Sequence, residues 1–215
     1  GEGSPVDAEQ LAGVMLSLQA KGCHNINLVS PTHVVPYLLE ALELAASRGL
    51  HLPLVYNSGG YDSVETLKLL DGIVGIYMPD MKYSDEKTAE QLSGIKEYPE
   101  VNKAAIKEMH RQVGDLQLDE PGVAFRGLLV RHLVLPNRLA GTQKVVRFLA
   151  QEVSPNTYLN IMAQYHPCYK AFDVPQLARP VDGQEFNEAI DLAHQQGLNR
   201  LDKCHFSFPL RLIPK

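Results

Sequence analysis

Asp80 and Lys82 close an apolar run, Ile76-Tyr77-Met78-Pro79-Asp80-Met81-Lys82, with a carboxylate and an ammonium two residues apart. On an extended chain, residues i and i+2 point to the same side. The two charges therefore project together, with Met78 behind them. Such a pair suits a zwitterionic ligand such as an amino acid. The plainer reading is a solvated pair capping the strand, although Lys and Asp are rarely buried without a partner.

Four other apolar runs end in polar clusters. Tyr56-Asn57-Ser58-Gly59-Gly60 offers donors and acceptors from Asn57 and Ser58. Its two glycines allow a ligand to approach the backbone, an arrangement that suits ribose hydroxyls or makes a simple turn. The run Leu128 to Pro136 carries Arg131 and His132, which must face opposite sides of a strand, so only one of them faces inward. An inward Arg needs a carboxylate, either Asp80 or one supplied by a ligand; the bland alternative is an ion pair between strands. His166 follows the run Leu159 to Tyr165 and stands where a strand-end ligand would sit. Ser30-Pro31-Thr32-His33 ends the first run. Ser30 or Thr32 can cap the helix that follows, whose N-terminus is a natural carboxylate site.

These clusters recur because strands alternate with helices. Apolar periodicity predicts helices over 5–21, 34–48, 62–70, 84–94, 99–113, 142–152 and 183–196, with strands between them. Leu11, Val14, Met15 and Leu18 read as the buried stripe of the first helix; Val101, Ala105, Ile106, Met109 and Val113 read as that of the fifth. Asp62 or Ser63 is expected to cap the third helix. Alternation of this kind implies a parallel sheet, with ligands at the carboxyl ends of its strands. The expected fold is α/β, a partial parallel (β/α) TIM-type barrel with about five strands. A barrel that opens on a helix is short of the strand preceding it, so one strand is expected before Gly1. Residues 1–203 read as the barrel domain and residues 204–215 as a C-terminal tail outside the pattern.

The chain has 215 residues and a formal net charge of -5. Eight barrel units need roughly 250 residues, so a full barrel does not fit. The acidic balance offers no footprint for nucleic acid, and no apolar stretch approaches the roughly 20 residues of a membrane span. A cytoplasmic protein is expected. Cys23, Cys168 and Cys204 are too few and too scattered for a disulfide framework or a zinc motif. There is no Walker loop, GxSxG elbow, HExxH or GxGxxG.

The ordered blocks HNINLVSPTH, LVYNSGGY, IYMPDMKY, IKEMHRQVGDL, RGLLVRHLVLP and TYLNIMAQYHP, across about residues 3–202, resemble the radical S-adenosylmethionine (SAM) proteins related to pyruvate formate-lyase activating enzyme. The resemblance implies SAM lying across the strand ends and chelating one iron of a [4Fe–4S] cluster. Reductive cleavage of SAM then yields a 5′-deoxyadenosyl radical that abstracts hydrogen from a substrate. It further implies contacts to SAM from Ser30, Thr32, Asn57, Ser58, Met78, Asp80, Lys82, Arg131 and His166. A glycyl radical enzyme as protein substrate and an electron donor such as flavodoxin or ferredoxin follow from the same source. The family's Cys-x3-Cys-x2-Cys motif is absent from this stretch. SAM and the cluster are therefore expected in the full-length protein, with no metal ligands in this chain, and this chain alone is expected to be inactive.

Two other readings fit the residues. One is a non-catalytic, barrel-derived binding module that self-associates through an exposed sheet edge. The other is a barrel lyase or aldolase using Lys82 as a Schiff base.

Overall fold

Five short apolar segments pair side by side in parallel, and helices bury the face that each segment turns outward. The computed structural model describes residues 4–202. Its elements in chain order are α1 (Ala8–Ala20), β1 (Ile26–Val29), α2 (Val35–Ser47), β2 (Leu54–Ser58), α3 (Val64–Leu69), β3 (Ile76–Pro79), α4 (Glu86–Ser93), α5 (Tyr98–Val113), β4 (Gln117–Leu118), β5 (Ala124–Leu133), α6 (Thr142–Phe148), β6 (Tyr158–Met162) and α7 (Gly183–Gln195). The parallel order is β1-β2-β3-β5-β6, in sequence order once β4 is set aside. This is a partial TIM-type barrel, as the alternation predicts. Among the described residues β1 pairs only with β2 and forms an edge of the sheet.

The alternation of side chains along each strand builds two layers. Tyr56, Tyr77, Leu128, Val130, Leu159 and Ile161 face the helices and join Ile106 and Met109 of α5, Val145 and Val146 of α6, and Ala189 and Ala193 of α7 in the largest core cluster. On the opposite, inner face, Val55 and Ile76 pack with Leu116, and Met78, Leu129 and Tyr158 close around them. Beyond β6, Leu201 forms one parallel bridge to Leu159. The proposed tail, 204–215, lies outside the described residues.

Several expectations shift. The helix read over 5–21 starts at Ala8, because Asp7 accepts from the Gln10 amide and Gln10 returns a side-chain bond to the Asp7 amide, a capping box. Its buried residues are Ala12 and Met15, whereas Val14 is 51% exposed. Leu11 and Leu18 are partly buried and pack with Ala12 and Met15 against α2, Ile26 of β1 and Leu54 of β2, so of the expected stripe only Val14 turns outward. In α5, Asn102 is fully buried and Val101 is not. The helix expected over 142–152 changes to a π-turn at Leu149–Val153. The turn-rich segment before β5 contains β4, an antiparallel strand of two residues that pattern reading missed because it is shorter than any period. No helix among the described residues is long and apolar enough to cross a membrane.

Candidate ligand site at the carboxyl ends of the strands

A cavity of about 580 Å³ opens at the carboxyl ends of β3, β5 and β6. Asp80, Lys82, Arg131, Gln164 and His166 line its polar side; Leu133, Leu135, Met162 and Leu177 line its apolar side. That volume falls in the range of small-ligand pockets. Arg131 Nη2 lies 2.6 Å from Asp80 Oδ1, and Lys82 Nζ pairs with Asp80 Oδ2. The inward arginine thus meets Asp80, the carboxylate that the sequence pattern offers it. Two cations share one carboxylate, which leaves a net positive charge at the cavity wall for an anionic ligand group.

His132, one residue on, points the other way and is fully buried. Its Nδ1 lies 2.7 Å from the Met81 carbonyl, which can only accept, so Nδ1 carries hydrogen and Nε2 accepts from the Thr142 hydroxyl at 2.9 Å. Burial lowers its pKa below the usual histidine value, consistent with this neutral form.

The backbone of Asp80–Lys82 is gripped along its length. Asp80 N–H donates to Ser58 O, and Met81 N–H donates to Arg131 O. Asn102 Nδ2 donates at 2.9 Å to both Asp80 O and Gly60 O. The Tyr98 hydroxyl accepts from Lys82 N–H at 3.0 Å and donates towards Gly59 O. Burial raises the Tyr98 pKa, so its hydroxyl keeps the proton it donates. Gly60 is required here: its φ is +74°, and a Cβ would collide with Asp80 O and Asn102 Nδ2.

The remaining sequence candidates divide. Asn57 and Met78 are half-buried register partners on the inner face, beneath the residues that line the cavity. His166 is exposed at the rim. Ser58 and Thr32 do not join them, because both are spent on Asp62. That buried carboxylate accepts from Ser58 Oγ at 2.6 Å, Thr32 Oγ1 at 2.7 Å and Tyr56 OH at 3.0 Å. Asp62 is therefore a bolt between the β1 loop and β2 rather than a helix cap; Ser63 caps α3. Ser30 adopts a left-handed φ of 52° and caps nothing with its side chain, nor does Thr32; α2 starts after Val34 with Pro36 in its first turn.

Tyr98, Asn102 and Asn160 were not singled out by sequence reasoning, and Asp62 was read only as a helix cap. For Asn160 a signal existed: it is a polar residue between Leu159 and Ile161 on a strand whose alternation turns it inward. For the others there was none, since their partners are loops and strand ends remote in sequence.

Among the described residues, no three His, Cys, Asp or Glu side chains group to hold a metal ion. Cys23 precedes β1, and Cys168 follows β6. They stand at opposite ends of a parallel sheet, so they do not fit one iron–sulfur cluster.

No protein-family model matches the chain. An uncharacterized protein of Methanocaldococcus jannaschii, MJ0674, is 33% identical over 178 residues, which are 81% of this chain and 47% of that protein. Among solved structures, HydG, a maturase of the [FeFe]-hydrogenase, superposes with a TM-score of 0.59 at 10% identity over 92% of this chain and 44% of its own. HydG from Carboxydothermus hydrogenoformans gives 0.58 at 11% identity, over 92% and 45%. The chain spans less than half the length of each of these proteins. The likeness is one of fold: a partial parallel α/β barrel of the kind HydG contains.

Proposed function

We propose that this chain forms the core of a radical SAM enzyme and that the Asp80–Lys82–Arg131 cluster holds the amino acid end of SAM. One observation carries the reading: a carboxylate shared by two cations opens into a cavity at the strand ends, where barrels of this class bind ligands. The donor set fits the group. Lys82 and Arg131 suit its carboxylate, Asp80 suits its ammonium, and the apolar side formed by Leu133, Leu135 and Met162 suits a ring. SAM, when bound, supplies radical hydrogen abstraction. This chain's own residues bind, orient and shield: the backbone clamp on Asp80–Lys82 fixes the charged pair before any ligand arrives, and the apolar side excludes water. The narrower reading, activation of a glycyl radical enzyme as protein substrate, is supported by the sequence blocks. A Schiff-base role for Lys82 is disfavoured by its pairing with Asp80, which already engages the amine.

The test is a titration of the full chain with SAM, followed by two-dimensional 1H–15N NMR. Saturable shifts at Asp80–Lys82 and Arg131, weakened about tenfold or more in Asp80→Asn and Lys82→Met, are expected. Equal binding by both variants overturns the assignment.

A further inference from the structure

We propose that Asn160 is a specificity-determining ligand contact which, with the Nε–H of Arg131, recognises an uncharged group presenting an acceptor beside a donor: an amide or a hydroxyl. The inference deepens the reading above and rests on it for the location of the ligand.

The strand registers bring three inner-face residues to one height. Asp80 bridges Arg131, and Arg131 pairs with Asn160. In a parallel ladder, register partners project from the same face. The layers on either side are apolar: Leu129 and Tyr158 below, Leu133 and Met162 above. A polar layer between two apolar ones must satisfy its own hydrogen bonds, because an unmet buried donor or acceptor forfeits its solvation.

This layer does so only in part. The charge of Arg131 is met by Asp80 through Nη2. Its Nε–H is buried without a hydrogen-bond partner, and so is Asn160 Oδ1. What remains without a hydrogen bond is one donor, Arg131 Nε–H, and two acceptors, Asn160 Oδ1 and the ion-paired Asp80 Oδ1, with the guanidinium charge already paired. A carboxylate would satisfy the donor and repel Asn160 Oδ1; an ammonium would do the reverse beside a guanidinium. An amide or hydroxyl answers both. The wall formed by Asp80, Lys82 and Arg131 thus selects charge, and Asn160 selects a neutral group next to it.

The test uses the 15N-labelled full chain and four small probes: acetamide, ethylene glycol, acetate and methylammonium. Acetamide and ethylene glycol are expected to shift the Arg131 Nε–H and Asn160 side-chain signals in a saturable way, and the two ions are not. Asn160→Leu is expected to weaken the acetamide response about tenfold, the loss of one hydrogen bond. Asn160→Asp, whose carboxylate pairs with Arg131 Nε and closes the gap, is expected to abolish that response in a folded protein, which keeps the test valid if Asn160→Leu misfolds. No response to the neutral probes, a response to acetate alone, an unaltered response in both variants, or a direct Arg131 Nε–Asn160 Oδ1 bond in the free protein overturns the proposal. SAM titration of the same unmutated sample reports on the wider reading separately: SAM binding without a neutral-probe response sinks only the role of Asn160.

Discussion

The ends of β3 and β6 face one cavity and are built in opposite ways. Past β3, backbone groups from Asp80 N–H to Lys82 N–H are bonded to Ser58, Arg131, Asn102, Tyr98 and His132, three of them through buried side chains. Past β6, the chain carries His166, Cys168 and Tyr169 in the open, Tyr169 at 83% exposure, and Tyr165 OH to Leu177 O is its main tertiary hydrogen bond. One wall is preorganised and the other is free to adjust. A segment with few buried contacts opens at low free-energy cost, whereas one held by buried polar bonds opens only with its neighbours. The charged pair therefore belongs to the rigid half, where a misplacement would cost most.

The contrast can be broken from the rigid side first. Gly60→Ala forces a left-handed non-glycine residue and drives a Cβ into Asp80 O and Asn102 Nδ2. A loss of about 3 kcal/mol is expected, strain and overpacking together, read by urea denaturation; a change under about 1 kcal/mol would show the clamp to be soft.

A smaller effect is expected from pH. Unfolded His132 titrates at the ordinary 6.5, while burial holds the folded imidazole lower. Between those two values the unfolded chain binds one more proton, so stability falls as pH drops below about 6.5, by at most about 1.4 kcal/mol per pH unit. His132→Gln should flatten that part of the profile measured between pH 7.5 and 5; an unchanged slope would place the titration elsewhere.

The smallest effect is expected at the loose wall. His166→Ala should leave stability within about 0.5 kcal/mol, since the side chain is exposed. The same change should weaken SAM binding in the NMR titration. A stability loss of the size expected for Gly60→Ala would erase the distinction between the two walls.

Much of the fold is legible along the chain, because strand and helix periods are local properties: each run buries alternate residues wherever it lands. The five parallel strands and their polar ends could be read that way, as could the demand of Arg131 for a carboxylate. Which carboxylate it takes was open between Asp80 and a ligand, and register decided it in favour of Asp80. Ser58 and Thr32 show the opposite case. Their hydroxyls are well placed in sequence for a ligand, yet Asp62 recruits both from different loops. The π-turn after α6 and the two-residue β4 arise from packing against neighbours rather than from any period. The order of side chains thus determined which residues could face the cavity. Only the tertiary structure decided which are spent on Asp62, which clamp Asp80–Lys82, and which, like Asn160, stay unsatisfied, because hydrogen-bond partners tens of residues apart leave no trace in local sequence.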